Sequence, residues 1–284
     1  MTSLQNKIDF AIIFRVKNAN PNGDPLNGNR PRTDYEGLGE VTDVCLKRKL
    51  RDRLQEAGHA IFVQSDDRKI DEHRSLAERA RAVLKDELGG PKTMKLSCAT
   101  WFDVRAFGQL FAIKSAKKSK KKGESADEND GDTGISIGIR GPVTIQSAFS
   151  VEPVSLTSTQ ITKSVSGEGD GSKRGSDTMG MKHRVDQGIY VSHGSINPQL
   201  AERTEFSAED ADAIKKWLPK LFENDASSAR PDGSMEVIKV IWWQHDSKAG
   251  KCSSAKVHGS LKVTADGTIT LADIGVMPEI IEGF

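Results

Sequence analysis

Only three cysteines occur in the 284 residues, Cys45, Cys98 and Cys252, and they form no C-x-x-C pair. This excludes a disulfide framework and a zinc knuckle, and it makes a reducing cytoplasm the natural setting. The six histidines are scattered, without an H-E-x-x-H pattern or a His–Cys cluster, so neither a metal centre nor any cofactor is expected. Long apolar runs are missing as well. Asp9 and Arg15 break up Ile8–Val16, and no segment approaches the roughly 18 apolar residues of a membrane span or the apolar core of an export signal. There is no G-x-x-x-x-G-K-[ST] and no G-x-S-x-G, and Gly167-Glu-Gly-Asp-Gly171 lacks the strand–helix setting of a dinucleotide site. Excess charge of one sign is also absent, with 41 Lys plus Arg against 40 Asp plus Glu. Any nucleic-acid binding must therefore come from cations gathered on one surface.

What is present alternates between strands, helices and irregular excursions. Ile8, Phe10, Ile12, Phe14 and Val16 share one face of a period-two run, which predicts a strand. A loop rich in Asn, Pro and Gly follows, from Asn18 to about Asp34. The next element is a helix capped by Thr42 or Asp43, with Leu46, Leu50 and Leu54 facing the core. On its remaining surface Lys47 and Arg51, and Lys49 and Arg53, are like-charge pairs at i,i+4. Each such pair costs a few tenths of a kcal/mol, so compensation from outside the helix is expected. A second helix is predicted over 70–88, ended by Gly89-Gly90. Residues 98–111 fit either a strand or a turn plus helix, and 135–149 read as a strand punctuated by Gly. A third helix, 207–222, starts with a capping-box pattern at Ser207 and Asp210, and Pro219 should kink or tighten its last turn. Residues 236–243 form a strong strand, and 256–263 with 268–272 a closing hairpin.

Two stretches interrupt this order. Residues 114–132 carry six lysines followed by five acids, a solvated charged insertion. Residues 163–188 contain six glycines and five basic residues, a long excursion that can close as a loose hairpin. The fold class is α+β, one domain over 1–284 with excursions.

Three features could carry chemistry. In Asn18-Ala-Asn-Pro-Asn-Gly-Asp-Pro25 the backbone N–H groups and the side chains of Asn18, Asn20 and Asn22 could hold a phosphate, although composition alone reads first as an ordinary turn. Lys47, Arg48 and Arg51 could line a phosphate track, or simply form a solvated face. In the Gly-rich excursion Met179 could wedge between bases while Lys182 and Arg184 hold phosphates; a plain linker has the same composition.

Taken in order, these segments resemble one family. They are the Asn18–Pro25 loop, Pro31-Arg-Thr-Asp34, Val41-Thr-Asp-Val-Cys-Leu-Lys-Arg-Lys-Leu-Arg51, Phe102-Asp-Val-Arg-Ala-Phe-Gly108, Ile139-Arg-Gly-Pro-Val143, Ser150-Val-Glu-Pro-Val154, Thr178-Met-Gly-Met-Lys182 and Gly188-Ile-Tyr-Val191. The chain is similar to the guide-RNA-binding backbone subunit of the CRISPR surveillance complex Cascade, type I-C, from about residue 8 to about residue 260.

The resemblance implies a modified RRM-like palm on a ferredoxin-like sheet. The expected insertions are a loop at about 18–40, a helical finger region at about 60–95, the charged segment 114–132 and a thumb at about 155–188. It implies a filament of several copies along one CRISPR guide RNA, each thumb displacing a base, with the open segments pairing with target DNA. Other Cascade subunits (guide-processing, large and small) would be partners, and a recruited helicase-nuclease, not this subunit, would cut. RNA contacts are then expected from Asn18, Asn20, Asn22, Lys47, Arg48 and Arg51. Arg105, Gln146 and Ser147 are further palm candidates, with Met179, Lys182 and Arg184 on the thumb. The alternative is a metal-dependent endonuclease cleaving RNA paired to the guide, with Asp24 or Asp34 catalytic, but neither has a partner carboxylate at helpful spacing. A second rival is an assembly protein whose basic helix meets a protein partner.

Overall fold

The structure, a computed structural model, describes residues 2–113, 135–164 and 179–284. The charged insertion expected at 114–132 lies outside the described residues, as do Lys173, Arg174 and the centre of the proposed thumb. The architecture is mixed α/β around a large antiparallel sheet.

The first strand, β1 (Ile8–Ala19), carries the alternating run. Short strands β2 (Gly23–Asp24), β3 (Arg30–Thr33) and β4 (Leu38–Val41) follow from the Asn-rich loop. Helix α1 (Asp43–Glu56) begins as expected, with the Thr42 hydroxyl accepting from the Cys45 N–H. Then come α2 (Leu76–Leu84), α3 (Thr93–Thr100) and α4 (Phe102–Phe107). The ambiguous 98–111 segment resolves into the end of α3, all of α4 and most of β5 (Gly108–Ile113). The stretch 135–149 is β6 (Ile135–Arg140), β7 (Val143–Ile145) and the start of β8 (Ala148–Pro153). Strands β9 (Leu156–Thr162) and β10 (Met179–Ile196) pair as a long hairpin. Next are α5 (Pro198–Thr204), α6 (Ala208–Trp217) and β11 (Met235–Gln244). Helix α7 (Ser254–Gly259), β12 (Leu261–Val263), β13 (Ile269–Leu271) and β14 (Pro278–Glu282) end the chain.

Strand order in the main sheet is β14-β11-β1-β10-β8-β4-β3-β2, with β7 and β9 also on β10. Strand β1 lies at its centre, and both of its faces are buried. Ile8, Phe10, Ile12 and Phe14 join Leu46, Leu50 and Leu54 of α1 and Ile214 of α6 in one core. Phe14 stacks on Tyr190 at 5.3 Å and Phe10 on Trp242 at 5.6 Å, which locks the three central strands together. Ala11 and Ile13 face the other way, into a core closed by Trp243 and Val257 of α7. A third core, around Phe62, Trp101 and Phe111, is built by α2–α4 with β5 and β6.

Two of the recognised segments meet at a close backbone approach. Gly108 stands at φ 81° between α4 and β5, and a Cβ there would collide with the Ile139 carbonyl and the Gly141 N–H. A Cβ on Gly141 would in turn collide with Ala106 and Gly108, so neither position accepts a side chain.

Some element readings change. The helix predicted over 70–88 shrinks to α2, because Ser75 caps it and Asp71 lies ahead of it, salt-bridged to Arg79 at 2.7 Å. Pro219 turns the end of the third helix into a 3-10 turn, Leu218–Lys220. The first half of the strand predicted at 256–263 is the end of α7, since Ser253 caps a helical turn there, and only 261–263 remains to pair with β13. No helix of the described residues is long and apolar enough to cross a membrane.

Candidate nucleic-acid interface

Helix α1 is the anchor of the candidate surface. Leu46, Leu50 and Leu54 have no exposed surface, so the orientation of the cationic face is fixed by the core. Truncating any one of them to Ala would cost about 2–5 kcal/mol. The like-charge pairs are compensated from within and from far away. Lys47 binds Asp43 at 2.8 Å, and Arg51 donates to the buried Asp103 at 2.9 Å while lying over the Phe107 ring. Arg53 makes a bidentate pair with Glu56, at 2.6 and 2.7 Å.

Arg48 and Lys49 share a counterion. Arg48 bridges Asp52 at 2.5 Å and Asp225 at 2.9 Å; Lys49, fully buried, also donates to Asp225. Arg230 reaches the same carboxylate at 3.0 Å. Burial would raise the Asp225 carboxyl, but Lys49, then Arg230 and Arg48, outweigh it and hold it down at about 2. Burial works against the charged forms of Arg48 and Lys49 too. The bond to Asp225 and the charges of Asp52 and Asp225 still raise Arg48, whereas Lys49 is lowered. Beside this cluster opens a cleft of about 390 Å³, where Asn22 and Gly23 of the loop face Arg48, Arg68 and Arg230.

The loop is tied to the helix start. Asn22 Oδ1 accepts from both the N–H and the hydroxyl of Thr42, at 3.0 and 2.8 Å. Asn20 is buried and its amide N–H donates to the Asn29 carbonyl at 2.7 Å, while its Oδ1 has no partner among the described residues. Asn18 is exposed at the end of β1 in a left-handed conformation, φ 53°. Asp24 and Asp34 serve turns. Asp24 accepts from Leu26 N–H and pairs with Arg32, and Asp34 accepts from Glu36 and Leu38 N–H. Among the described residues no group of three or more His, Cys, Asp or Glu is arranged to hold a metal ion.

Gln146 and Ser147 lie in the turn between β7 and β8, and the pairing of Val41 with Ala148 brings that turn beside the α1 start. Gln146 is exposed and Ser147 half-buried. Arg105 lies elsewhere. Its guanidinium grips Asp210 at 2.7 and 2.9 Å and rests on Phe102, tying α4 to the start of α6. Its role in the structure is therefore to join two helices.

The β9–β10 hairpin presents two different faces. Met179, Met181 and His183 alternate with Gly180, Lys182 and Arg184, so the methionines and the cations project to opposite sides. Met179 and Met181 are 61% and 55% exposed, too much surface for core residues. Lys182 is exposed, and Arg184 pairs with nearby Asp186, at 3.2 Å. Sequence reasoning found these residues but missed Lys49, Arg68, Asp103, Arg230 and Asp225. Only the unbalanced charge of α1 signalled that distant acids were required.

The fold and surface define an α/β protein with a large antiparallel sheet, a cationic helix beside an Asn-rich loop, and a projecting hairpin. The profile of the family CRISPR-associated protein Cas7 matches residues 6–275, and the chain belongs to that family. A CRISPR-associated protein Cas7 from Haloferax volcanii is 29% identical over 241 residues, covering 80% of this chain and 67% of the relative. Two solved chains are similar at 16% identity. One, from a CRISPR RNA-guided surveillance complex in a pre-nicking state, has a TM-score of 0.47 and covers 84% of this chain and 75% of its own. The other, from a CRISPR RNA-guided surveillance complex, has a TM-score of 0.45 and covers 92% and 77%.

Proposed function

We propose that this Cas7-family chain is a non-catalytic, repeated subunit of a type I-C Cascade complex. It holds the phosphate backbone of a CRISPR guide RNA and presents the bases for pairing with target DNA. The observation that carries this reading is the convergence of the α1 cations, the Asn-rich loop and the β7–β8 turn on one side of the sheet, in a chain of this family. Lys47 and Arg48 supply phosphate contacts, with Arg51, largely buried against Asp103, behind them and Asn18, Asn22, Gln146 and Ser147 as neighbouring polar groups. Asn20 and Arg105 support the fold around them.

The ferredoxin-like palm is supported by the spatial order β11-β1-β10-β8, with α1 and α6 on the two crossovers and all neighbours antiparallel. The thumb assignment is supported by the exposed methionines and cations of the β9–β10 hairpin, and the finger by the separate core of α2–α4 with β5 and β6. Other copies of the chain and further Cascade subunits complete the assembly.

The test is purification of the full complex with nuclease treatment, followed by sizing of the retained RNA. A protected RNA of defined length is expected. Lys47→Ala and Arg48→Ala should weaken binding equally across sequences and flatten the salt dependence by about 0.7 per lost contact. A filament that persists without RNA would overturn the reading. So would RNA cleavage that Asp24→Ala or Asp34→Ala abolishes.

A further inference from the structure

We propose that the cleft beside α1 is a phosphate site for a nucleic-acid backbone, in which the Asp225 carboxylate stands in until the phosphate displaces it. This rests on the RNA-binding reading above and deepens it. Three cations, Arg48, Lys49 and Arg230, converge on one carboxylate. That convergence is the donor arrangement a phosphate would meet, since a phosphate offers the same anionic oxygens in greater number. Arg68 and the Asn22 amide face the same space, which at about 390 Å³ is wide enough for a phosphodiester and its sugar.

The carrier of the carboxylate decides which anion can leave. Asp43 and Asp52 sit on α1 and Asp103 on α4, so their backbones are held by helical hydrogen bonds and only side-chain rotation could move them. Asp225 sits in the segment between the 3-10 turn at Leu218–Lys220 and β11, where 226–228 are exposed. A local shift of that segment would take Asp225 into water and open Arg230 and the Asp225-facing side of Arg48 to the incoming phosphate, with Arg48 still held by Asp52 and Lys49 buried behind them. Without a phosphate, the carboxylate prevents the cations from repelling one another.

The exchange predicts opposite responses in two segments. On titrating the wild-type chain with a labelled oligouridylate, amide hydrogen exchange across 223–230 should rise while that of α1 falls. Asp225→Asn should bind the same RNA roughly tenfold more tightly at low salt, with a slope steeper by about 0.7, because no carboxylate at that position then competes for Arg230 and the Asp225-facing side of Arg48. Adding Arg48→Ala to Asp225→Asn should remove most of this gain. Protection of α1 with unchanged or slower exchange at 223–230 overturns the displacement and leaves the RNA-binding reading intact. A folded Asp225→Asn chain that binds no more tightly than wild type overturns it as well. If that variant does not fold, the wild-type exchange pattern decides alone. Absence of salt-dependent binding together with unchanged α1 exchange overturns both readings.

Discussion

Asp103 shows how a single side chain can organise its surroundings. It is fully buried, accepts from the Phe62 and Val63 N–H groups at 2.7 and 3.0 Å, and pairs with Arg51 at 2.9 Å. Asp103→Ala would strand two N–H donors and a largely buried guanidinium, costing about 3–5 kcal/mol in urea unfolding. A loss below about 1 kcal/mol would show that water or a neighbour replaces the carboxylate. The segment Phe102–Gly108 stood out in the sequence, but this role did not. The partners are 40, 41 and 52 residues away, and nothing local marks an acid as an acceptor for distant backbone. The same limit hid Asp225, which is 176 residues from Lys49. The like-charge pairs on α1 announced that counterions were needed without saying which. Asn20 and Arg105 were picked out by residue type alone, and the structure adds what the sequence did not: a bond from Asn20 to the Asn29 carbonyl and a pair between Arg105 and Asp210.

Elements with a strong period were legible, and those fixed by capping or edge pairing were not. Strand β1, helix α1 and strand β11 each carry a long repeat, whereas α7 depends on the Ser253 cap and β14 is a short edge strand that starts at Pro278. The β9–β10 hairpin was visible as an excursion able to close as a loose hairpin; its register adds the separation of faces. Met179→Ala should therefore alter the nuclease footprint on the guide without changing the salt slope. Lys182→Ala with Arg184→Ala should lower the slope and leave the footprint intact; parallel changes in both readouts would contradict the two-faced arrangement. A different element-level consequence concerns the docking of α7. Its His258 stacks on His193 of β10 at 4.6 Å and donates to the Gly194 carbonyl, beside Asp9, His245 and Lys7. Burial first, and then His258, lowers His193 to about 4. The unfolded chain takes up that proton near pH 6.5, and the folded chain refuses it until about pH 4. The stabilisation is thus complete above about pH 6.5 and is lost as pH falls through this window, by up to about 3 kcal/mol. His193→Phe should flatten that part of the stability curve in urea titrations at successive pH values.

At the scale of the whole molecule, a net charge of +1 meant that any RNA binding required cations concentrated on one surface with acids elsewhere. The structure departs from that division, because the α1 cations are interleaved with acids brought in by other elements. Each of these cations has a counterion within the chain, and in the proposed RNA-bound state the same acids would compete with phosphate for them. Asp225 measures the balance. Its carboxyl is held at about 2, below the ordinary 3.8, so its contribution is present above about pH 4 and is lost as pH falls towards 2. The shift corresponds to stabilisation on the order of 2 kcal/mol, mostly undiscounted because the side chain is only 9% exposed. Asp225→Asn should therefore unfold at lower urea at pH 7, and its deficit relative to wild type should close between about pH 4 and pH 2. Combined with tighter RNA binding by the same variant, this would show stability given up in exchange for an open phosphate site. A deficit that persists unchanged at pH 2 would instead assign the carboxylate's role to packing, since packing does not titrate.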